Sequence, residues 1–362
     1  MKTIAFRVDV APHIGTGHLQ RCLTLATQLK ESFVKSIFFV RQYDGNLLSI
    51  IDDNDFEYSV IGSSVNKSFS DRHSEWLGVS QQEDAEDFLK SASTFKIDLL
   101  VIDHYSIDSV WEGYIKNKLS IPIVVIDDLA NRVHLSDILI DQNYWPNIDV
   151  RYNGLLPEHA QKLLGPKYAL LKPMYEEMRQ SNIGHNERVE LDSILVNFGG
   201  VGSFSLWQTV IPALLQCFKY NFHIITGKLP AEHYAILHDL VEEVPHIKMQ
   251  ETTDKMPELM NTSIYCLGAC GSTVWERFCL GLNSALIDIA ENQKELVEYL
   301  DEQEMIDYLG SLKKITTNTI VNFITNLQLE SESYIIRRNR IQSLVDGLGS
   351  KRIASHIIKT IH

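Results

Sequence analysis

Short apolar segments alternate with amphipathic segments along almost the whole chain of 362 residues. Segments such as IDLLVID (97–103) and IPIVVID (121–127) are nearly continuous runs of Ile, Leu and Val. Strands of this composition are buried on both faces, which is typical of a parallel sheet. The segments between them, such as 19–31 and 206–219, carry apolar residues at helical spacing. The alternation therefore predicts an α/β fold with doubly wound layers.

The apolar runs fall into two groups with a break between them. We predict strands at 3–10, 36–40, 97–103, 121–127 and 137–141, and then at 192–198, 222–226, 246–250, 263–268 and 283–289. The segment 62–80 is polar, and we predict that it forms a long surface loop.

The break at 165–190 begins with Gly-Pro and ends in a polar, charged stretch that contains Gly184. We interpret it as the linker between two domains. The sequence thus predicts two Rossmann-like domains, at 1–180 and 190–345, and a C-terminal helix at 346–362. Ser350 follows the DGLG break and is the predicted N-cap of that helix.

The composition excludes several classes of partner. The chain has 47 acidic and 33 basic residues and a formal net charge of -14, so we expect neither nucleic acid nor an anionic membrane to bind it. No apolar run approaches the roughly 18 residues of a membrane span, and the N-terminus lacks the features of a signal peptide. The five cysteines predict reduced thiols in a cytoplasmic protein. No second ligand pair follows Cys266 and Cys270, so we predict no metal site.

The first candidate site is the loop VDVAPHIGTGHLQR (8–21) between a strand and a helix. Gly15 and Gly17 let the backbone approach a ligand closely, and free N–H groups at the helix start favour anionic groups. His18 stands at that helix start, where the helix dipole disfavours its cation and a neutral, proton-accepting imidazole is expected. The alternative is a half-buried histidine that completes the helix start. Gln20 occupies the third glycine position of the dinucleotide pattern, which disfavours a nicotinamide-dependent dehydrogenase.

The second candidate is LGACGSTVWERFCLGL (267–282), where a strand is followed by a turn of small residues and a helix. Backbone N–H groups and hydroxyls of Gly271, Ser272 and Thr273 are suited to phosphate oxygens. Glu276 is suited to a ribose diol, to which a carboxylate can offer two acceptors. The alternative is a capping box of Thr273 and Glu276. The segment FGGVGS (198–203) forms a similar glycine turn.

Further polar residues follow the ends of predicted strands. The edge that carries His18 is expected to gather Asp103, His104, Tyr105, Asp127 and Asp128, because the carboxyl ends of parallel strands meet at one edge of a sheet. Such carboxylates act as acids, bases or ligands, or they only cap the following turns. The amides of Asn292 and Gln293 suit sugar hydroxyls and N-acetyl groups; the alternative is that they are ordinary polar side chains in contact with solvent.

Together these segments resemble one family over nearly the whole chain, in order and spacing. The segments are 6–26, LLVIDHYSID (99–108), 124–143, GPKYALLKPMY (165–175), VNFGG (196–200), CGSTVWERFCLGL (270–282) and ENQ (291–293). They are similar to the PseG-like UDP-sugar hydrolases of pseudaminic acid synthesis. These enzymes have the two-domain GT-B fold of MurG-type proteins, so the resemblance implies a GT-B arrangement here.

The resemblance implies cleavage of UDP-2,4-diacetamido-2,4,6-trideoxy-β-L-altropyranose to UDP and the free sugar, with inversion and without metal or other cofactor. His18 corresponds to the histidine that the N-terminal domain contributes, and we expect Asp9, Asp103 or Tyr105 to orient it or the sugar. Substrate-binding residues are expected in both domains. They are Gly15, Gly17 and Arg21 in the first, and Gly271, Ser272, Thr273, Glu276, Asn292 and Gln293 in the second.

Two positions depart from the family pattern. The turn VGSFS (201–205) replaces one that usually carries an acid or amide, and Asn283 stands where proline is favoured. Two other functions fit the same residues, a GT-B glycosyltransferase that uses a related UDP-sugar and a non-catalytic binder of sugar nucleotides. We expect a monomer or a weak dimer.

Overall fold

The apolar runs form two parallel sheets, each in its own compact unit. The computed structural model describes residues 1–11, 13–43, 47–65, 73–181, 192–200, 202–329 and 331–362. Unit 1 comprises Met1–Leu170 and Leu348–His362, and unit 2 comprises Leu171–Gly347.

Unit 1 is built on a seven-stranded parallel sheet. Its strands are β1 (Thr3–Val8), β2 (Lys35–Tyr43), β3 (Glu57–Val65), β4 (Leu99–Asp103), β5 (Ile123–Ile126), β6 (Ile138–Asp141) and β7 (Gln161–Leu164). The helices along this part of the chain are α1 (Gly17–Lys30), α2 (Ser49–Asp52), α3 (Gln81–Ala92) and α4 (Ser109–Leu119). The sheet order is β3-β2-β1-β4-β5-β6-β7.

This order puts a topological switch point between β1 and β4. Both strands are almost fully buried, as their continuous apolar composition predicts. The chain leaves β1 towards β2 on one side, whereas β4 continues towards β5 on the other. Val8, the last residue of β1, pairs in register with Asp103, the last residue of β4. Ligands of open α/β sheets bind in the crevice at such a point, so the fold itself singles out this edge.

Unit 2 repeats the plan with a six-stranded parallel sheet in the order β10-β9-β8-β11-β12-β13. The strands are β8 (Ser193–Asn197), β9 (Asn221–Ile225), β10 (Ile247–Gln250), β11 (Tyr265–Ala269), β12 (Ser284–Asp288) and β13 (Asp307–Ser311). The helices are α5 (Pro173–Ser181), α6 (Phe204–Leu214), α7 (Ala231–Asp239), α8 (Met256–Thr262), α9 (Thr273–Cys279), α10 (Glu291–Glu302), α11 (Thr317–Thr325) and α12 (Glu332–Leu344). Its switch point lies between β8 and β11.

Three strands were not predicted, and all three lie at sheet edges. They are β3, β7 and β13, with the polar sequences EYSVIGSSV, QKLL and DYLGS. An edge strand is covered less completely, so it does not need a continuous apolar run. The predicted loop at 62–80 is therefore wrong at its start, where residues 62–65 belong to β3; its residues 66–72 lie outside the described part of the chain.

The domain boundaries also differ from the prediction. Unit 1 ends at Leu170 rather than at 180, and the last helix, α13 (Gly349–Ile361), belongs to unit 1. Ile353 and Ile357 of α13 join the core that contains Leu25 and Leu29 of α1. Residues 182–190 of the predicted linker, including Gly184, lie outside the described residues.

Ser350 is not the N-cap of the last helix. The helix begins at Gly349, with Leu348 in the cap position, and Ser350 is buried within the first turn. The cause is close packing, because a Cβ at Gly349 would collide with the backbone of Ala169. The helix therefore starts where only glycine fits, one residue earlier than the serine rule suggests.

Two expectations concern the whole chain. All five cysteines are free and buried, without a disulfide. Within the described ranges, we find no helix with the length and apolar character needed to cross a bilayer.

Candidate active site

His18 lies at the switch point of unit 1, as its position after β1 predicts. It is the second residue of α1, and Gly17 is the first. Gly15 adopts a φ of 82°, a conformation that side chains rarely allow, and its N–H donates to the carbonyl of Ala11. The loop thereby turns back into the helix and leaves 10% of the His18 side chain exposed.

His18 is paired with the carboxylate of Asp103. The distance from His18 Nδ1 to Asp103 Oδ1 is 2.6 Å. Burial opposes ionisation of Asp103, but the adjacent Arg21 and His18 outweigh it and hold the pKa of Asp103 well below its usual range. An ionised carboxylate only accepts hydrogen bonds, so Nδ1 carries the proton. The other ring nitrogen, Nε2, is then the proton acceptor of a neutral His18.

Arg21 holds that carboxylate from the other side. Its Nε donates to Asp103 Oδ2 at 2.5 Å and its Nη2 to Asp103 Oδ1 at 2.6 Å. The remaining terminal nitrogen, Nη1, donates to Asp128 Oδ2 at 3.0 Å. Only 6% of the Arg21 side chain is exposed. The expected substrate contact of Arg21 disagrees with this geometry, because the guanidinium is engaged by two carboxylates inside unit 1.

Tyr105 completes the surroundings of His18. The two rings meet edge to face, with their centroids 4.5 Å apart and an interplanar angle of 84°. The Tyr105 hydroxyl donates to Asp128 Oδ1 at 2.5 Å. Burial, reinforced by the charge of Asp128, raises the pKa of Tyr105 well above its ordinary value, so its hydroxyl stays protonated.

Trp76 is a neighbour of His18 that sequence reasoning missed. Its ring centroid lies 6.3 Å from that of His18 and 5.7 Å from that of Tyr105. His73 extends the aromatic wall, 4.6 Å from Trp76. Both residues lie in the segment interpreted as a polar loop. The tryptophan itself was a signal in the sequence, because a large aromatic ring in a polar segment indicates that the segment packs against the protein.

Asp9 does not contact His18, in contrast to one of the expected roles. Its carboxylate accepts hydrogen bonds from the Arg7 guanidinium at 2.5 and 2.9 Å and from the backbone N–H of Arg41 at 2.7 Å. The Tyr43 hydroxyl also donates to it, and His104 Nε2 lies 3.2 Å away. Asp9 is fully buried. It therefore belongs to an internal ion network and fixes β1 rather than a catalytic group.

Asp141 lies at the end of β6 on the same edge, and Nε of Arg151 lies 3.7 Å from its Oδ2. It accepts hydrogen bonds from the indole of Trp145 and the hydroxyl of Tyr152, both at 3.0 Å. Burial, and then the charge of Asp128, raise the pKa of Asp141 to about 8. The folded protein thus holds a proton there at neutral pH.

We expect Asp141→Asn to flatten the pH dependence of stability. The pKa of Asp141 is raised above its unfolded value of 3.8, so the unfolded chain releases this proton first and stability falls as pH rises from about 4 to 8. The slope is about 1.4 kcal/mol per pH unit for one proton. Urea unfolding of both proteins at pH 5, 6 and 7 measures the difference. Parallel curves would contradict a protonated Asp141.

In unit 2, the predicted anion-binding turn follows β11. Gly271 and Ser272 lie between β11 and α9, and Thr273 begins the helix. No backbone carbonyl of the described residues accepts a hydrogen bond from the N–H groups of Gly271 and Ser272. The capping box of Thr273 and Glu276 is not formed, because Ser272 occupies the cap position and Thr273 is the first residue of the helix. The turn therefore offers backbone donors to an external acceptor.

The amide pair on α10 lies beside this turn. A Cβ at Gly271 would lie 3.9 Å from Nε2 of Gln293. The other side of that amide, Oε1, accepts the N–H of Ile289 at 3.2 Å, which fixes its orientation. Asn292 precedes it in the first turn of α10. The structure thus brings Gly271 and Gln293 together, as the hypothesis of a shared ligand requires.

Glu276 lies on α9, partly buried, and accepts a hydrogen bond from Tyr175. Burial raises the pKa of Glu276, although the hydroxyl of Tyr175 favours its ionised form. Tyr175 was not predicted as a site residue. Its position one turn into α5 gives no sequence signal, because the contact joins segments about a hundred residues apart.

Arg277 underlies the same turn and was also missed. The side chain is almost completely buried, and its Nη2 donates to the carbonyl of Ala269 at 2.6 Å. A Cβ at Gly268 would lie 2.7 Å from the backbone carbonyl oxygen of Asn197 and would also meet this guanidinium, which explains the glycine at that position. Nε of Arg277 has no hydrogen-bond partner among the described residues.

A possible group of metal-binding side chains lies away from these strand ends. His238 and Asp239 are the last two residues of α7, Glu242 lies three residues beyond the helix, and their donor atoms are within 4.8 Å of each other. Asp239 and Glu242 are exposed, and His238 is half-buried. They are not part of either switch point.

Comparisons with known proteins find distant relatives, and no family model matches the chain. An uncharacterised protein of Methanocaldococcus jannaschii is 24% identical over 88% of this chain, which spans only 60% of that protein. The spore coat polysaccharide biosynthesis protein SpsG of Bacillus subtilis is 22% identical over 75% of this chain and 79% of its own length. A UDP-2,4-diacetamido-2,4,6-trideoxy-β-L-altropyranose hydrolase of Campylobacter jejuni is 25% identical over 82% of this chain and 95% of its own.

Solved structures agree on the fold. MurG of Acinetobacter baumannii matches with a TM-score of 0.66 and 14% identity, covering 99% of this chain and 100% of that protein. The calicheamicin glycosyltransferase CalG4 matches with a TM-score of 0.68 and 13% identity, covering 100% and 98%. The chain therefore has the GT-B fold with two Rossmann-like α/β domains, and this prediction is confirmed. Its named sequence relatives are a nucleotide-sugar hydrolase and a polysaccharide biosynthesis protein.

Proposed function

We propose that the chain hydrolyses UDP-2,4-diacetamido-2,4,6-trideoxy-β-L-altropyranose to UDP and the free 2,4-diacetamido-2,4,6-trideoxy-L-altrose. The observation that carries the proposal is the His18–Asp103 pair at the switch point of unit 1, which leaves Nε2 of His18 as a proton acceptor. The hydrolase from Campylobacter jejuni, at 25% identity, supports the choice of substrate. We place the reaction in pseudaminic acid biosynthesis, which serves flagellin and surface polysaccharide glycosylation, in the cytoplasm. We expect the enzyme to act as a monomer or weak dimer, without a metal.

In this proposal, unit 2 binds the UDP moiety. The N–H groups of Gly271 and Ser272 and the hydroxyl of Thr273 donate to the diphosphate. Glu276 accepts hydrogen bonds from the ribose diol, and the amides of Asn292 and Gln293 contact the sugar and phosphates. Donors fixed in advance at the leaving group stabilise the charge that grows on it, usually the largest single contribution to catalysis.

Unit 1 supplies the base. Nε2 of His18 removes a proton from water as the water oxygen forms a bond to the anomeric carbon. The bond between that carbon and the diphosphate oxygen breaks, and its electron pair leaves with UDP. Attack opposite the leaving group inverts the anomeric centre. Asp103 stabilises the resulting imidazolium, which then returns its proton to solvent.

The reaction is tested by incubating the protein with the UDP-diacetamido sugar alone and following the mixture by NMR. The expected result is UDP and a free reducing sugar, first seen as the inverted anomer. A panel of related UDP-sugars defines the substrate. If no UDP forms with any of them, the hydrolase proposal is wrong.

A GT-B glycosyltransferase is the second candidate, because solved structures with the same fold, such as CalG4, are glycosyltransferases. The same NMR experiment distinguishes the two functions. A transferase releases UDP only after an acceptor is added, and the sugar then appears in the acceptor product. A hydrolase releases UDP at the same rate with or without the acceptor.

We expect Glu276→Ala to weaken UDP binding roughly ten- to hundredfold, because hydrogen bonds to a charged group contribute about 1.5–3 kcal/mol. Calorimetry with UDP and with 2′,3′-dideoxy-UDP measures the effect. The variant should bind both ligands equally, whereas the parent should prefer UDP. Glu258→Ala is the control, because Glu258 is an exposed acid in the first turn of α8. Unchanged preference for UDP in Glu276→Ala would contradict the ribose contact.

A further inference from the structure

Asp128 joins two of the groups that surround His18. It lies two residues beyond the end of β5, and its side chain is 14% exposed. Oδ1 accepts the hydroxyl of Tyr105 at 2.5 Å, and Oδ2 accepts Nη1 of Arg21 at 3.0 Å. Each oxygen of one carboxylate thus holds a different neighbour of the histidine.

These contacts close a ring of five side chains. The ring runs through His18, Asp103, Arg21, Asp128 and Tyr105, and the Tyr105 ring returns to the face of His18. Arg21 can present Nε and Nη2 to Asp103 only while its plane is fixed, and the contact from Nη1 to Asp128 fixes it. The orientation of His18 therefore depends on a residue that does not touch it.

The backbone of Asp128 is itself held in place. Nη2 of Arg151 donates to the carbonyl of Asp128 at 3.2 Å, and the Arg151 guanidinium lies over the Trp145 ring, 3.9 Å from its centroid. The position of the carboxylate is thus fixed by the strand end and by the loop after β6.

The charges of the ring point to an electrostatic role as well. Two carboxylates, Asp103 and Asp128, face the guanidinium of Arg21. The other charged or titratable groups on this side are His73, Tyr105, Cys22, which lies 3.6 Å from Asp103, Arg151, which donates to the Asp128 carbonyl, and Arg132, which lies over the Tyr105 ring. The negative charge of Asp128 favours the imidazolium that forms when His18 accepts a proton from water.

We propose that Asp128 is a positioning residue for hydrolysis, which keeps Arg21 and Tyr105 in place around the His18–Asp103 pair and adds a negative charge near His18. The proposal rests on the proposed function of His18 as the base. A purely structural role would affect stability alone, so the test needs a readout that stability does not change.

The test compares Asp128→Asn with Asp127→Asn, using the rate of UDP release across pH. Asp127 is the adjacent buried acid, but it is paired with Arg132 at 2.8 Å and does not contact Arg21 or Tyr105. For Asp128→Asn we expect kcat to fall roughly 10- to 100-fold with an unchanged Kd for UDP. The acidic limb of the plot of kcat against pH should shift to lower pH by about half a pH unit or more. Asp127→Asn should keep the parent profile.

Asp128→Glu provides a second measurement, because it keeps the negative charge but lengthens the side chain and so moves the carboxylate. We expect a lower kcat with the acidic limb unmoved. If Asp128→Asn keeps the kcat and the pH profile of the parent, the positioning role is wrong. If Asp128→Asn does not fold, a parent-like kcat in Asp128→Glu would overturn the role instead. An inactive parent protein would instead refute the proposed function, so the two failures are distinguishable.

Discussion

His18→Ala is expected to lower the rate of UDP release from the saturating UDP-sugar by roughly 10²–10⁴-fold, the contribution of a positioned general base. The reason lies in the pairing with Asp103, which fixes the proton on Nδ1 and leaves Nε2 as the acceptor. In the proposal the nucleotide is bound by unit 2, so the Kd for UDP should change less than about twofold. NMR measures the rate, and calorimetry measures the affinity.

His134 provides a matched control for this experiment. Its Nδ1 lies 2.6 Å from Oε1 of Glu112, the same distance as in the His18–Asp103 pair, and its side chain is 1% exposed against 10% for His18. Its Nε2 has no partner among the described residues and faces the interior. His134→Ala should lower stability but keep the parent kcat. Equal loss of activity in both variants, or a parent-like rate in His18→Ala, would show that the imidazole of His18 is not the base.

The central strands were predictable because burial on both faces leaves a direct signature in the sequence. β1, β4, β5 and β6 are almost continuous apolar runs, and so are β8, β11 and β12. The edge strands β3, β7 and β13 have no such signature, since a strand with one neighbour is only partly covered. The pattern that identifies a parallel sheet therefore identifies its centre better than its edges.

The location of the site was predictable for a related reason. In a parallel sheet the carboxyl ends of all strands meet at one edge, so His18, Asp103 and Tyr105 could be placed together from their positions after strands alone. The hydrogen-bond partner of each side chain could not be predicted from its position after a strand. The sequence suggests Arg21 as a substrate contact, because nothing local shows that one carboxylate at the end of β4 and another just after β5 reach it.

Non-local packing also explains the helix at the C-terminus. Its apolar stripe predicts an amphipathic helix, but the stripe does not say which sheet it covers. The structure pairs α13 with α1, nearly the whole chain away in sequence. The contact between Tyr175 and Glu276 could not be predicted for the same reason, since it depends on how α5 packs against α9.

Asp84→Asn is expected to reduce the stability of unit 1 by about 3 kcal/mol or more, because it breaks a buried ion network. Asp84 on α3 is fully buried and accepts hydrogen bonds from Arg7 of β1 and Arg41 of β2, at distances from 2.7 to 3.1 Å. The indole of Trp111 on α4 also donates to it, at 3.0 Å. One carboxylate therefore joins two strands and two helices, and its loss leaves two buried guanidinium groups short of a partner.

Urea unfolding followed by tryptophan fluorescence measures this effect. Glu57→Gln is the control, because it removes a solvent-exposed ion pair in which the side chains of Lys35 and Glu57 are 35% and 46% exposed. This substitution should lower the free energy of unfolding by less than about 1 kcal/mol. A loss below that value in Asp84→Asn would contradict the importance of the network. The network holds Asp9 away from His18 and shares no residue with the ring around that histidine. Asp84→Asn should therefore leave kcat per folded molecule unchanged, which separates the residues that stabilise this edge of the sheet from those that act on the substrate.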